Sequence, residues 1–337
     1  MKFRIGILAF LFFFHNGLKA QDYQYSQFYA LPLYYNPAFA GSNLDSRLTT
    51  GYRSQWTGLN GWKGWVSSFD WYLKKASSGI GLFLSRNYLS KLGYNQTSGM
   101  FQYAYRAKLG KEVRVSFGIG FGFGQYTWNP NLGVFGDQLA RDPILPQSND
   151  PLAGGSIGSA LFDMQLGVLF YSKKWWASLS GLHPHSPSYF LFKENTLDPR
   201  ICLSGGYRFE LEKPIDYKGQ EIPRSITPAI LIRAQGPASQ LDLGVYYHRP
   251  PFVIGAWYRG LPIPTGKLKK LNQDAATLLT GIKQNNLTIG YSYDINLSGL
   301  TGPLRGSHEI TMTYEFNTKY LSLKGSKHPK GLPCPTF

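Results

Sequence analysis

The chain has 337 residues, 35 Lys and Arg against 19 Asp and Glu, 16 % aromatic residues and only 16 % charged ones. Soluble domains carry ~25 % charged residues, so this composition argues against an ordinary soluble domain. The 23 Tyr and 22 Phe suit surfaces that are apolar on one side and wet on the other.

Residues 1–20 read as an export leader. Lys2 and Arg4 form a basic start and Ile5 to Phe14 is an unbroken apolar run, too short for a membrane-spanning helix, which needs ~20 apolar residues. Cleavage after Ala20 makes Gln21 the mature start, although Leu18 at the −3 position is larger than ideal. No Cys follows, so a lipid anchor is not expected. The mature chain stays strongly basic without Lys2, Arg4 and Lys19. For an exported chain, an anionic envelope is a simpler partner than nucleic acid.

Residues 21–45 form an N-terminal segment containing YALPLYYNPAFAGS at 29–42. Pro32 and Pro37 lack backbone donors and bias Leu31 and Asn36 to extended conformations. The run is therefore a poor helix and a poor central strand. Its aromatics, Phe28, Tyr29, Tyr34, Tyr35 and Phe39, need burial against something.

From residue 46 the pattern alternates with period two. In RVSFGIGFGFG, Val115, Phe117, Ile119, Phe121 and Phe123 share one face, and Arg114, Ser116, Gly118, Gly120 and Gly122 the other. Ile310, Met312, Tyr314 and Phe316 alternate in the same way with Glu309, Thr311, Thr313 and Glu315. About fourteen such strands are expected: 46–56, 64–74, 79–88, 96–109, 112–126, 162–172, 174–182, 200–212, 225–235, 239–248, 251–260, 274–283, 286–297 and 306–317. Strands of ~9–11 residues with one apolar face cross a membrane, and in lipid such a sheet must close on itself. A secreted sandwich would use shorter strands, ~5–6 residues. The reading is all-β: a transmembrane antiparallel barrel over 46–317, with a tail over 318–337. No stretch after the leader is apolar enough for a membrane-spanning helix.

An even strand count puts both termini in the periplasm. The short connections Gly110–Lys111, Lys173 and Arg249–Pro250 then fall on the periplasmic side, and the long ones, 127–161, 183–199 and 261–273, on the outside. The periplasmic connection 213–224 is longer than expected, and DAATLLTGI within 274–283 also reads as a short helix. The segment 21–45 is expected to pack inside or under the periplasmic mouth; an extended arm awaiting a partner is the alternative. Lys74, Lys75, Lys108, Lys111, Lys173, Lys174 and Lys283 lie at or beside the periplasmic turns. Turn solubility and attraction to anionic headgroups account for them; the sharper reading is a docking rim for an acidic periplasmic partner, with Lys74, Lys75, Lys111, Lys173 and Lys174 as its candidates.

No catalytic, cofactor or metal site is expected. The GxSxG string at 154–158 lies in a Gly/Pro/Asn-rich loop, without the strand-to-helix turn of a nucleophile elbow. Gly118, Gly120, Gly122 and Gly124 alternate at strand period and suit a crowded lumen, not a phosphate cradle. His183 and His185 flank Pro184 with no neighbouring Cys or acid to complete a metal set. Asp70, Arg106, Arg114, Asp163, Asp242, Asp294, Glu309 and Glu315 are candidates for structural pairing inside the barrel. Cys202 and Cys334 form one disulfide or stay as two thiols.

QDYQYSQFYALPLYYNPAFAGSNLDSRLTTGYRSQW resembles the mature N-terminus of the PorP/SprF family of type IX secretion system membrane proteins. The matching positions are Gln21, Asp22, Ser26, Gln27, Asn36, Pro37, Ala38, Phe39, Ala40, Gly41, Arg47, Tyr52, Arg53, Gln55 and Trp56. FGDQLARDP at 135–143, HPHSP near 183, IGYSYDINLSG at 289–299 and GSHEITMTYEF at 306–316 resemble later family landmarks. Tyr23 departs from the pattern, where Pro is common. The resemblance implies an outer-membrane barrel of a Bacteroidetes-type cell. It implies a role in secretion or surface attachment of large proteins carrying a type IX C-terminal sorting domain, in some members gliding adhesins. Such a protein would be the partner, together with periplasmic secretion subunits and outer-membrane lipid. The alternative is a transporter for hydrophobic compounds, since fatty-acid channels also carry an Asn-Pro-Ala-containing N-terminal hatch.

Overall fold

A computed structural model describes residues 22–43, 46–139, 148–150, 153–188, 196–211, 215–217, 220–222, 224–265, 270–297 and 305–316. The leader 1–20, Gln21, part of the 135–143 landmark, and the tail 318–337 with Cys334 lie outside them. The barrel strands are β1 (Ser46–Ser54), β2 (Lys63–Leu73), β3 (Ser78–Leu89), β4 (Tyr94–Leu109), β5 (Val113–Trp128), β6 (Ile157–Tyr171) and β7 (Trp175–Leu182). They continue as β8 (Arg200–Tyr207), β9 (Ser225–Gln235), β10 (Ala238–Arg249), β11 (Phe252–Thr265), β12 (Lys270–Gln284), β13 (Leu287–Asn296) and β14 (Ser307–Phe316). Each pairs antiparallel with its chain neighbours, and β14 pairs back onto β1 from Ser46↔Phe316 to Ser54↔His308. The sheet is therefore a closed 14-stranded barrel.

Closure leaves no unpaired edge, and the period-two pattern sorts the side chains. In β14, Ile310, Met312, Tyr314 and Phe316 are exposed on the outer wall, while Glu309, Thr311 and Thr313 are buried inside. In β5, Phe117, Phe121 and Phe123 face out and Ser116 faces in. These outward residues form the lipid-facing surface that such a barrel requires.

The segment DAATLLTGI is strand throughout. Ala275 and Leu279 are buried and Leu278 and Ile282 exposed, and β12 pairs with both β11 and β13. Cross-strand pairing on both sides overrides a weak helical pattern. The connection expected over 261–273 shrinks accordingly, because β11 runs to Thr265 and β12 starts at Lys270. The connections 129–156 and 183–199 remain long. Ile157 and Gly158 of the GxSxG string begin β6, and the 213–224 connection carries a small hairpin, Ile215–Tyr217 with Gln220–Ile222.

The two ends of the barrel differ. At the turn end, β1 starts, β14 finishes, and β2–β3, β4–β5 and β6–β7 are joined by tight connections. The opposite, loop end carries the 129–156 and 183–199 connections. The apolar core lies in the lumen, where residues 23–40 pack against inward side chains of the wall.

Candidate functional site in the barrel lumen

Residues 22–43 run through the barrel from the loop end to the turn end. Asp22 sits beside His183 and Gln235, and Ala40 and Gly41 beside Arg106, Tyr72 and Gly79. The two prolines shape the path. Pro32 opens a single helical turn, α1 (Pro32–Tyr35), and Pro37 opens a 3-10 turn over Pro37–Phe39. Proline is tolerated in the first turn, where its missing N–H has no helical partner anyway. Asn36 is extended between them, and its side chain accepts from Ala38 N at 2.8 Å. The expectation of a poor helix therefore holds for length, while the structure uses each proline to start a short turn.

The aromatics find their burial here. Phe28 meets Trp257 edge-on at 4.8 Å, Tyr29 meets Tyr246 at 5.0 Å, and Tyr25 meets Tyr34 at 5.1 Å. The Arg200 guanidinium lies 4.6 Å above the Tyr34 ring. Each buried aromatic of this kind is worth roughly 1.5–3 kcal/mol.

Three charge clusters hold the segment. At the loop end His183 sits between two carboxylates, 2.8 Å from Asp163 and 3.1 Å from Asp22, and Asp22 also pairs with Arg200 at 3.0 Å. Burial would push the His183 imidazolium down. The Asp22 carboxylate and the hydrogen bond to Asp163 outweigh it and hold the pKa up at about 9. Burial works against the Asp22 carboxylate too, yet His183 and Arg200 keep it below the usual carboxylate range.

Further round the wall, towards the loop-end termini of β1, β13 and β14, Ser26 and Gln27 donate their backbone N–H groups to the Glu309 carboxylate at 2.7 and 2.9 Å. Arg53 bridges Asp294 at 2.6 Å and Glu309 at 3.1 Å. The run of alternating charge continues through Arg259, 3.2 Å from Asp294, to Asp242 and Arg233, which are 2.7 Å apart. Ser26 Oγ lies within hydrogen-bond reach of Arg53, Arg259 and Asp294 together. At the turn end Arg47 pairs with Asp70 at 2.9 Å, and Glu315 takes Lys283 and Asn43.

Wall side chains also catch the segment's main chain. Gln102 donates to Leu33 O, Gln165 and Arg200 to Tyr34 O, Ser180 to Tyr35 O, Ser116 to Ala38 O and Arg106 to Ala40 O. At two points only glycine fits: a Cβ on Gly118 would strike the Ala38 backbone, and one on Gly79 the Ala40 carbonyl.

The motif positions thus split. Ser26, Gln27, Asn36, Pro37, Ala38, Phe39 and Arg53 are buried, Asp22 is half-buried, and Gly41 takes a left-handed turn with φ 64° where the segment leaves the lumen. Gln55 and Trp56 lie apart, half-buried in the β1–β2 connection. Lys75, Lys111, Lys173 and Lys174 are exposed at the turn end, with Lys74 half-buried beside them. Of the lumenal candidates, Arg114 is half-buried near the turn end, and Cys202 is buried in β8. Sequence reasoning missed His183, Arg200, Gln102 and Gln165. The inward parity of Gln102, Gln165 and Arg200 was the available signal. A cavity of about 40 Å³ remains between the segment and β3–β6, lined by Asn87, Gln96, Tyr126 and His183 among others. It has room for a water or two.

A membrane-spanning barrel whose lumen is filled by its own N-terminal segment is the class that this geometry defines. The family model described as "Type IX secretion system membrane protein PorP/SprF" matches residues 17–314. The chain belongs to this family. No curated protein matches it in sequence. Similar solved structures include the Ralstonia pickettii toluene transporter TbuX (8 % identity, 84 % of this chain and 92 % of that one, TM-score 0.49). The P. putida toluene transporter TodX is another (9 %, 83 % and 92 %, TM-score 0.47). Likeness at this level carries no argument about function.

Proposed function

We propose that this type IX secretion membrane protein is a non-enzymatic outer-membrane component that supports secretion or surface attachment of large, adhesin-type proteins through their C-terminal sorting domains. The turn end faces the periplasm in this reading, and the loops at 129–156 and 183–199 receive the partner outside. The observation that carries it is the filled lumen. Ser26 and Gln27 from the segment, Arg53 from β1 and Glu309 from β14 join in one buried network, so the family's scattered motifs meet in a fastening for the segment. With the lumen closed, a folded partner is received at the loops rather than passed through this barrel. The cavity of about 40 Å³ does not favour carriage of hydrophobic compounds.

A tagged chain recovered from native outer membranes tests the reading. It should bring down a large surface protein carrying a sorting domain, or secretion subunits. Recovery of lipid or small hydrophobic molecules alone would sink it.

A further inference from the structure

At the turn end, three adjacent hairpins, β2–β3, β4–β5 and β6–β7, stand side by side. Their tips carry Lys74 and Lys75, then Lys111, then Lys173 and Lys174. Within the strands, Lys108 of β4 lies directly opposite Arg114 of β5. Like charges placed opposite each other in a ladder destabilise it, so this arrangement is held against its own repulsion. Among the described residues no ion pair relieves any of these seven bases, and Glu112 is the one acid on these three tips. Across the same mouth, Lys283 does find Glu315 at 2.9 Å.

Strand parity shows where the arc points. Gln102, Ala104 and Arg106 are buried on the inner face of β4, which puts Lys108 on the same face, and Arg114 follows Ser116 on the inner face of β5. The outward positions of this hairpin are Tyr105, Leu109 and Phe117, all at least half exposed. Lipid headgroups meet that outer flank. Lys108 and Arg114 rise from the inner rim, and the tip lysines stand beside them at the end of the barrel.

We infer that this arc is a docking collar for an acidic polypeptide approaching the turn-end mouth along the barrel axis. Converging, unpaired lysines over low-dielectric walls focus a positive potential, and carboxylates delivered axially would relieve the Lys108–Arg114 repulsion. The compartment in which the partner sits rests on the orientation proposed above; the charge argument does not.

The test uses the mature chain in phosphatidylcholine nanodiscs and a fluorescent poly-glutamate peptide, with poly-glutamine as control. Poly-glutamate should bind, more weakly as salt rises. The variant K108Q/R114Q/K173Q/K174Q should bind it about tenfold less tightly, with an unfolding midpoint unchanged or higher. Equal binding of the two peptides, or an unaffected variant, would overturn the collar. So would stronger, equally variant-sensitive capture by phosphatidylglycerol vesicles, which would assign the arc to headgroups.

Discussion

His183 shows how one side chain can tie a segment to a wall. Its ring donates to Asp163 on β6 and to Asp22 on the segment. Its pKa is lifted from 6.5 to about 9, so its charge favours the folded state. That contribution, about 3 kcal/mol from the size of the shift, is complete below pH 6.5 and disappears as the pH rises through about 9. Asp22 has the opposite sign: its carboxylate is held low, so its contribution is present above the ordinary carboxylate range and fades only in strong acid. Wild type should therefore exceed His183→Gln in unfolding free energy at pH 6, and the two should converge by pH 10. A gap that persists at pH 10 would mean that packing, not charge, makes the difference. Asp163 was legible as a lumenal pairing candidate, but its partners were not, because the pairing of β6 with β7 and the course of the segment through the lumen bring positions 22, 163 and 183 together.

At the scale of elements, the alternation of apolar and small or polar residues placed the strands well, because a membrane-spanning strand must satisfy both lipid and lumen along its length. It failed where strands outrun the membrane. β6 begins at Ile157 and β11 continues to Thr265, since beyond the apolar band a strand is held by ladder hydrogen bonds without an outward hydrophobic mark. The segment was legible as something that is not a strand and seeks burial, through its prolines and aromatics. Its course from mouth to mouth was not legible, because it depends on wall residues such as Gln102, Ser116 and Arg106 that meet backbone rather than side chains. One such close approach is at Gly118 in β5, where a side chain has no space. Gly118→Val should dislodge the 3-10 turn at Pro37–Phe39 while leaving the β4–β5–β6 ladder paired. Planar-bilayer recordings should then show intermittent conductance absent from wild type; a silent variant with a normal folded mobility would count against this seat.

For the whole molecule, one lumenal run of charge is self-sufficient within the wall. Arg53, Asp294, Glu309, Arg259, Asp242 and Arg233 pair among themselves across β1, β9, β10, β11, β13 and β14, and the segment adds hydroxyl and backbone groups to that run. Its one carboxylate in these networks, Asp22, serves Arg200 and His183. A barrel lacking residues 23–42 should therefore still fold, with lower stability, and expose a hydrophilic lumen lined by both signs of charge. Steady conductance with little preference between cations and anions is the expected recording. A deletion that folds yet conducts no better than wild type would show that something other than the segment closes the lumen.

The path of residues 22–43 has a consequence for biogenesis. Asp22 rests near the loop end, whereas β1 begins at the turn end, where β14 also finishes. If β1 and β14 zipped together first, more than twenty residues would have to thread the finished cylinder against its own side chains. Laying the segment along the inner face of an open, unfinished sheet avoids that passage. The seam between the first and last strands is then the final closure, drawn around a chain already in place, and the segment is a mandrel on which the barrel is wound.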